Sequence, residues 1–119
     1  MPRDVHHRLE QCRERYEQLR DELLHLGFVC VGSLQRRHLE CGKDACRCHG
    51  HPDNRHGPYH YWTRKVAAKT VAVLVPADDV AIYTEWLANN RTLDRVVRDM
   101  RKISARALTL ALTAPRKDR

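Results

Sequence analysis

Three thiols stand within eight residues in Cys41-Gly-Lys-Asp-Ala-Cys46-Arg-Cys48, and three imidazoles follow as His49, His51 and His56. Thiolate and imidazole are ligands that zinc prefers, and a structural zinc takes four such groups in a tetrahedron. Three cysteines and one histidine make the natural count, with Gly42 and Gly50 leaving the loop free to fold round an ion. His56 is the preferred fourth ligand. His49 adjoins Cys48 and would have to turn back sharply onto the same ion, whereas the seven residues between Cys48 and His56 let the loop return. His51 and Cys30 stay open as alternatives. The spacing C-x4-C-x-C differs from the paired C-x2-C of zinc ribbons, which leaves free structural thiols and a redox or iron–sulfur role as competing readings. A catalytic zinc would need an open position and a nearby base. Only Glu40, Asp44 and Asp53 lie close in sequence, with no recognisable nucleophile or base beside them, so no enzymatic activity is expected.

Five cysteines are an odd number, which leaves one thiol over in any disulfide framework. The stretch from Met1 to Glu10 is charged where a secretory peptide would be apolar, and no run approaches the roughly 20 apolar residues of a membrane span. A cytoplasmic protein without membrane contact is expected.

The loop needs elements to hold its ends. Val5, Leu9, Cys12, Tyr16, Leu19, Leu23 and Leu26 recur at alternating spacings of four and three, which predicts an amphipathic helix over residues 4–26 capped near Gly27. Ile82, Trp86, Leu93, Val96, Met100, Ile103, Ala107 and Leu110 repeat the stripe in a second helix over 78–112, with Asn89 as its polar interruption. Pro76 and the pair Asp78 and Asp79 mark its start, and the tail 114–119 is expected to fray. Between the helices, over 28–76, the period falls to two. A first strand is expected from Phe28 through Leu34 onward, then a hairpin of residues 59–66 and 70–75 joined through Ala67, Ala68 and Lys69. The expected fold is α+β in one domain of 119 residues: a small antiparallel sheet with a zinc-pinned loop, flanked by two long helices packed in coiled-coil fashion. Each helix must bury its stripe, against the other or against a second copy in a homodimer.

The chain carries a formal charge of +7, which favours an anionic partner. Residues 32–73 hold eight basic against three acidic side chains, whereas residues 1–31 hold five against six. The sheet is therefore the expected contact for nucleic acid, DNA before RNA. Its candidates are Arg36, Arg37, Lys43 and Arg47 on the first strand and loop, and Arg64, Lys65 and Lys69 around the hairpin turn. Tyr59 and Tyr61 interleave with them as stacking groups. Alternation sets Tyr59, Tyr61 and Thr63 on one face and His60, Trp62 and Arg64 on the other, so one aromatic set is expected to be buried.

The residues Gly32-Ser33-Leu34, Cys41-Gly42-Lys43, Cys46, Cys48, His56-Gly57-Pro58-Tyr59, Tyr61, Thr63-Arg64-Lys65-Val66 and Lys69-Thr70-Val71 resemble a family of small uncharacterised bacterial and archaeal proteins. The likeness covers roughly residues 32–75, and it extends to the helices in pattern only. It implies an accessory or regulatory DNA-binding role beside a recombinase or transposase of a mobile element or phage. Where that family tends to carry Gly before the Lys of the hairpin, this chain has Ala67-Ala68, which predicts a looser connection. The competing function is an adaptor that binds a larger recombinase-like protein through the heptad helices.

Overall fold

The computed structural model describes residues 2–113, and the fraying expected at 114–119 lies outside them. The architecture is α+β. Helix α1 (Pro2–Leu24) is followed by strands β1 (Ser33–Leu39), β2 (His56–Val66) and β3 (Lys69–Val75), and helix α2 (Val80–Thr113) closes the described chain. The strands form one antiparallel sheet in the order β1-β2-β3. Among the described residues, those up to Gly27 and from Arg91 onward form one compact unit, and Phe28–Asn90 forms another.

In the first unit the two heptad stripes meet. Leu19 of α1 and Val96 of α2 are fully buried and Cys12 nearly so. Glu22 Oε1 accepts from Arg95 Nη2 at 2.7 Å, while a groove further along is lined by Leu9, Tyr16, Ile103 and Ala107. Glu22 thus lies opposite Arg95 and Leu9 opposite Ala107, so the two helical segments run antiparallel. The burial follows from the three-and-four spacing, which stacks apolar side chains on one face of each helix. α1 ends at Leu24, two residues before the expected limit.

In the second unit the sheet begins later than expected. Phe28, Val29, Cys30 and Val31 form no strand, and three of their backbone groups are bonded elsewhere. The Cys30 N–H donates to the Trp86 carbonyl, Asn89 Nδ2 donates to the Phe28 carbonyl at 2.7 Å, and Trp62 Nε1 donates to the Val31 carbonyl at 2.9 Å. The polar interruption of the second stripe is therefore a tie for this extended segment. Gly32 follows with φ +116°, and a Cβ there would stand 2.3 Å from the Thr63 carbonyl oxygen. Only glycine lets β1 enter this close to β2.

The hairpin connection is tight, which corrects the looser turn expected from its sequence. Val66 pairs directly with Lys69, and Ala67 and Ala68 take φ of 51° and 67°. A two-residue turn with both centres left-handed matches the twist of the flanking strands, and the sheet holds two alanines there at a steric cost.

Candidate metal centre and basic surfaces

Strand register brings the ends of the loop together. Leu39 on β1 pairs with His56 on β2, across an irregularity between Arg37 and Leu39. Cys41 lies two residues past that pairing and His56 within it, so the sheet edge sets both before the loop is considered. Gly57 carries φ +130°, and a Cβ would sit 2.8 Å from the Arg37 carbonyl oxygen. This glycine lets β2 start beside the irregular end of β1 and leaves His56 at the rim.

The intervening chain turns inward in two short 3-10 turns, Arg47–His49 and Pro52–Asn54. The first carries Cys48, which is buried. The Cys46 N–H donates to the Lys43 carbonyl at 3.0 Å and the His49 N–H to the Cys46 carbonyl at 3.2 Å, which folds the knuckle that presents Cys46.

One ligand atom each from Cys41, Cys46, Cys48 and His56 lies within 4.8 Å of every other. The Cys48 and Cys41 sulfurs are 3.7 Å apart, and Cys46 Sγ is 3.4 Å from His56 Nε2. Bonds of about 2.3 Å to sulfur and about 2.0 Å to nitrogen give tetrahedral edges near 3.8 and 3.6 Å. The two measured separations match edges of such a tetrahedron, and the four atoms lie close enough together to hold a metal ion. Electrostatics agree. The backbone N–H of Cys48, then His56 and the neighbouring thiols, hold the Cys46 thiol down to about 6. Burial pushes the Cys48 thiol up, against the opposing backbone N–H of Cys41, which lies 3.4 Å from Cys48 Sγ.

The other two loop histidines and Cys30 have other surroundings. His49 Nδ1 lies 3.0 Å from Glu40 Oε2 and Nε2 lies 2.9 Å from the Lys43 carbonyl. Both contacts favour the doubly protonated ring, and the Glu40 carboxylate leads the upward shift of its pKa. His51 Nδ1 accepts from the Asp53 N–H at 3.1 Å, capping the second 3-10 turn. Cys30 lines a separate cavity with Trp62, Tyr83 and Trp86. Glu40 also reaches Arg55 at 3.9 Å, and this pairing role is what sequence reasoning, which weighed Glu40 only as a nearby carboxylate, missed. Its only signal was its place directly before Cys41.

The expected nucleic-acid contacts divide between places. Pairing sets Arg37, Tyr59, Tyr61 and Lys65 on one face of the sheet, with Leu74 beside Tyr61. Arg37 lies over the Tyr61 ring at 4.7 Å, and Tyr59 is exposed. Arg36 and Arg64 fall on the other face, where Trp62 packs at 5.5 Å from Tyr83 of α2. The Arg64 guanidinium covers the Trp62 ring at 3.9 Å, as that of Arg37 covers Tyr61 on the opposite face. Lys43 and Arg47 are exposed on the loop and Lys69 at the hairpin turn.

A family model described as Domain of unknown function (DUF6788) matches residues 9–87. The chain belongs to the DUF6788 family. That match takes in all four members of the quartet, all three strands, most of α1 and the first turns of α2. No curated protein and no solved structure matches this DUF6788 chain. Among the described residues, no helix is long and apolar enough to cross a membrane.

Proposed function

We propose that this chain is a zinc-stabilised nucleic-acid-binding protein, with DNA the preferred target, acting as an accessory factor of a mobile element or phage. The observation that carries the reading is the Cys41, Cys46, Cys48 and His56 quartet, its ligand atoms within 4.8 Å of one another, beside a sheet face that bears Arg37, Lys65, Tyr59 and Tyr61. Zinc is the metal that this donor set favours, and it would act as a structural tie closing the long connection between β1 and β2. Guanidinium and ammonium groups supply phosphate attraction, and exposed rings stack on unpaired bases. The mobile-element setting rests on the motif resemblance alone.

One preparation tests the reading. The wild-type chain is expected to carry one zinc, to lose it in Cys46→Ser, and to bind DNA with an affinity that falls steeply with salt. Replacing Arg37 and Lys65 by Gln should reduce the salt slope by roughly two, the loss of two phosphate contacts. Zinc without DNA binding would favour the adaptor reading. That reading draws on the apolar groove of the helical unit, where Leu108 is 60% exposed. It is checked by Leu108→Glu, which should abolish capture of a recombinase-like protein while zinc is retained.

A further inference from the structure

The helical unit has two sides of opposite character. One groove is lined by Leu9, Tyr16, Ala107, Leu108 and Ala111. The other side carries two clefts that share Arg15, Ile103 and Arg106. Arg8 and Gln11 complete the smaller, of about 180 Å³, and Lys102 and Asp99 the larger, of about 350 Å³. Helical spacing accounts for the segregation. Arg8 and Arg15 lie two turns apart on one edge of the α1 stripe, and Lys102 and Arg106 one turn apart on the facing edge of α2.

Charge on this side is only partly cancelled. Arg8 pairs with Asp4 at 3.3 Å, and Asp99 pairs with Arg95, which also takes Glu22. Arg15 makes a hydrogen bond to Gln18 alone, and neither it nor Lys102 nor Arg106 has an ion-pair partner among the described residues. Three free cations thus converge on one groove, and its apolar members, Leu19, Cys12 and Ile103, belong to the packing between the helices. The lining of these clefts offers no exposed aromatic side chain around which a protein interface could centre, whereas a phosphate backbone needs only spaced cations and bidentate guanidinium groups.

We infer that the Arg15, Lys102 and Arg106 side of the helical pair is a second phosphate-backbone contact, so that nucleic acid engages the helices as well as the sheet. The inference rests on the nucleic-acid reading above and adds a surface to it. Binding of the full zinc-loaded chain to duplex and single-stranded DNA is measured across salt, for wild type, Arg15→Gln with Arg106→Gln, Arg15→Lys with Arg106→Lys, and Arg37→Gln with Lys65→Gln. The Gln pair on the helices should lower the salt slope by about two on duplex, close to 0.9 per phosphate, and the Lys pair should restore it. A circular dichroism spectrum checks the fold. Should the double variant not fold, Lys102→Gln alone should lower the slope by about one.

An unchanged slope in the helical variants, with binding weakened by the sheet variant, overturns the second surface and leaves the proposed function standing. Loss in the helical variants alone upholds the second surface and removes the sheet contact. Absence of binding by wild type overturns both. Tighter binding to polyglutamate than to DNA, dependent on Arg15 and Arg106, assigns the groove to an acidic protein and overturns the inference.

Discussion

The metal loop and the helical pair are ordered by different physics. Between β1 and β2 the chain is held by heteroatoms: three sulfurs and an imidazole nitrogen in one cluster, with Glu40 gathering His49 and Arg55 beside it. Of its residues Cys48 is the buried one. In the helical pair, order comes from apolar side chains at heptad spacing, with Leu19 and Val96 shut off from solvent. Loop stability should therefore answer to metal, acid and chelator, while the helical pair should answer to changes of side-chain volume.

Metal removal should give the largest effect. Structural zinc contributes about 10–16 kcal/mol in zinc-finger peptides, so even a fraction of that dominates a loop with so little buried surface. Chelation, or Cys48→Ser, should speed hydrogen exchange across residues 40–56 by orders of magnitude and change α1 far less. Equal acceleration in both regions would break the contrast. The complementary change is Leu19→Ala, expected to destabilise by about 2–5 kcal/mol, as truncation of a fully buried leucine does. Denaturant unfolding checks the magnitude, and zinc content should be unchanged.

Sequence reading reached these two regions unequally. The ligand set was legible because Cys41, Cys46, Cys48 and His56 announce themselves by type, and chain closure argued for His56 over His49. What became of the spare histidines was not, since the link from His49 to Glu40 depends on the loop's path. The strand pattern of 59–66 and 70–75 predicted the hairpin, yet the stretch from Phe28 to Val31 has the same β-prone composition and is held outside the sheet by Trp86, Asn89 and Trp62. The basic side of the helices escaped notice because a charge sum over a segment carries no phase. Phase around the helix, not the total, gathers Arg8 and Arg15 on one edge.

Smaller effects sharpen the comparison within the sheet unit. Replacing Ala67-Ala68 by Asn-Gly should stabilise the hairpin by about 1 kcal/mol, because each alanine now bears a left-handed conformation that Asn and Gly adopt at little cost. Thermal unfolding with zinc saturated reads this gain, and no gain would contradict the tight turn. The smallest effect concerns pH. Glu40, by its hydrogen bond foremost, raises the His49 pKa above 6.5. A raised folded-state value means that this stabilisation is fully present below the unfolded value and is lost as pH rises through the folded one. Glu40→Gln should return the His49 titration, followed by NMR, towards 6.5 and remove that part of the pH dependence.

The central claim is that one ion sits among Cys41, Cys46, Cys48 and His56. X-ray absorption at the zinc edge of the purified chain tests it most directly. The account expects one zinc per chain with three sulfurs at about 2.3 Å and one nitrogen at about 2.0 Å, the nitrogen lost in His56→Ala. A shell of four sulfurs, a nitrogen signal that survives His56→Ala, or a chain that binds no metal would contradict it.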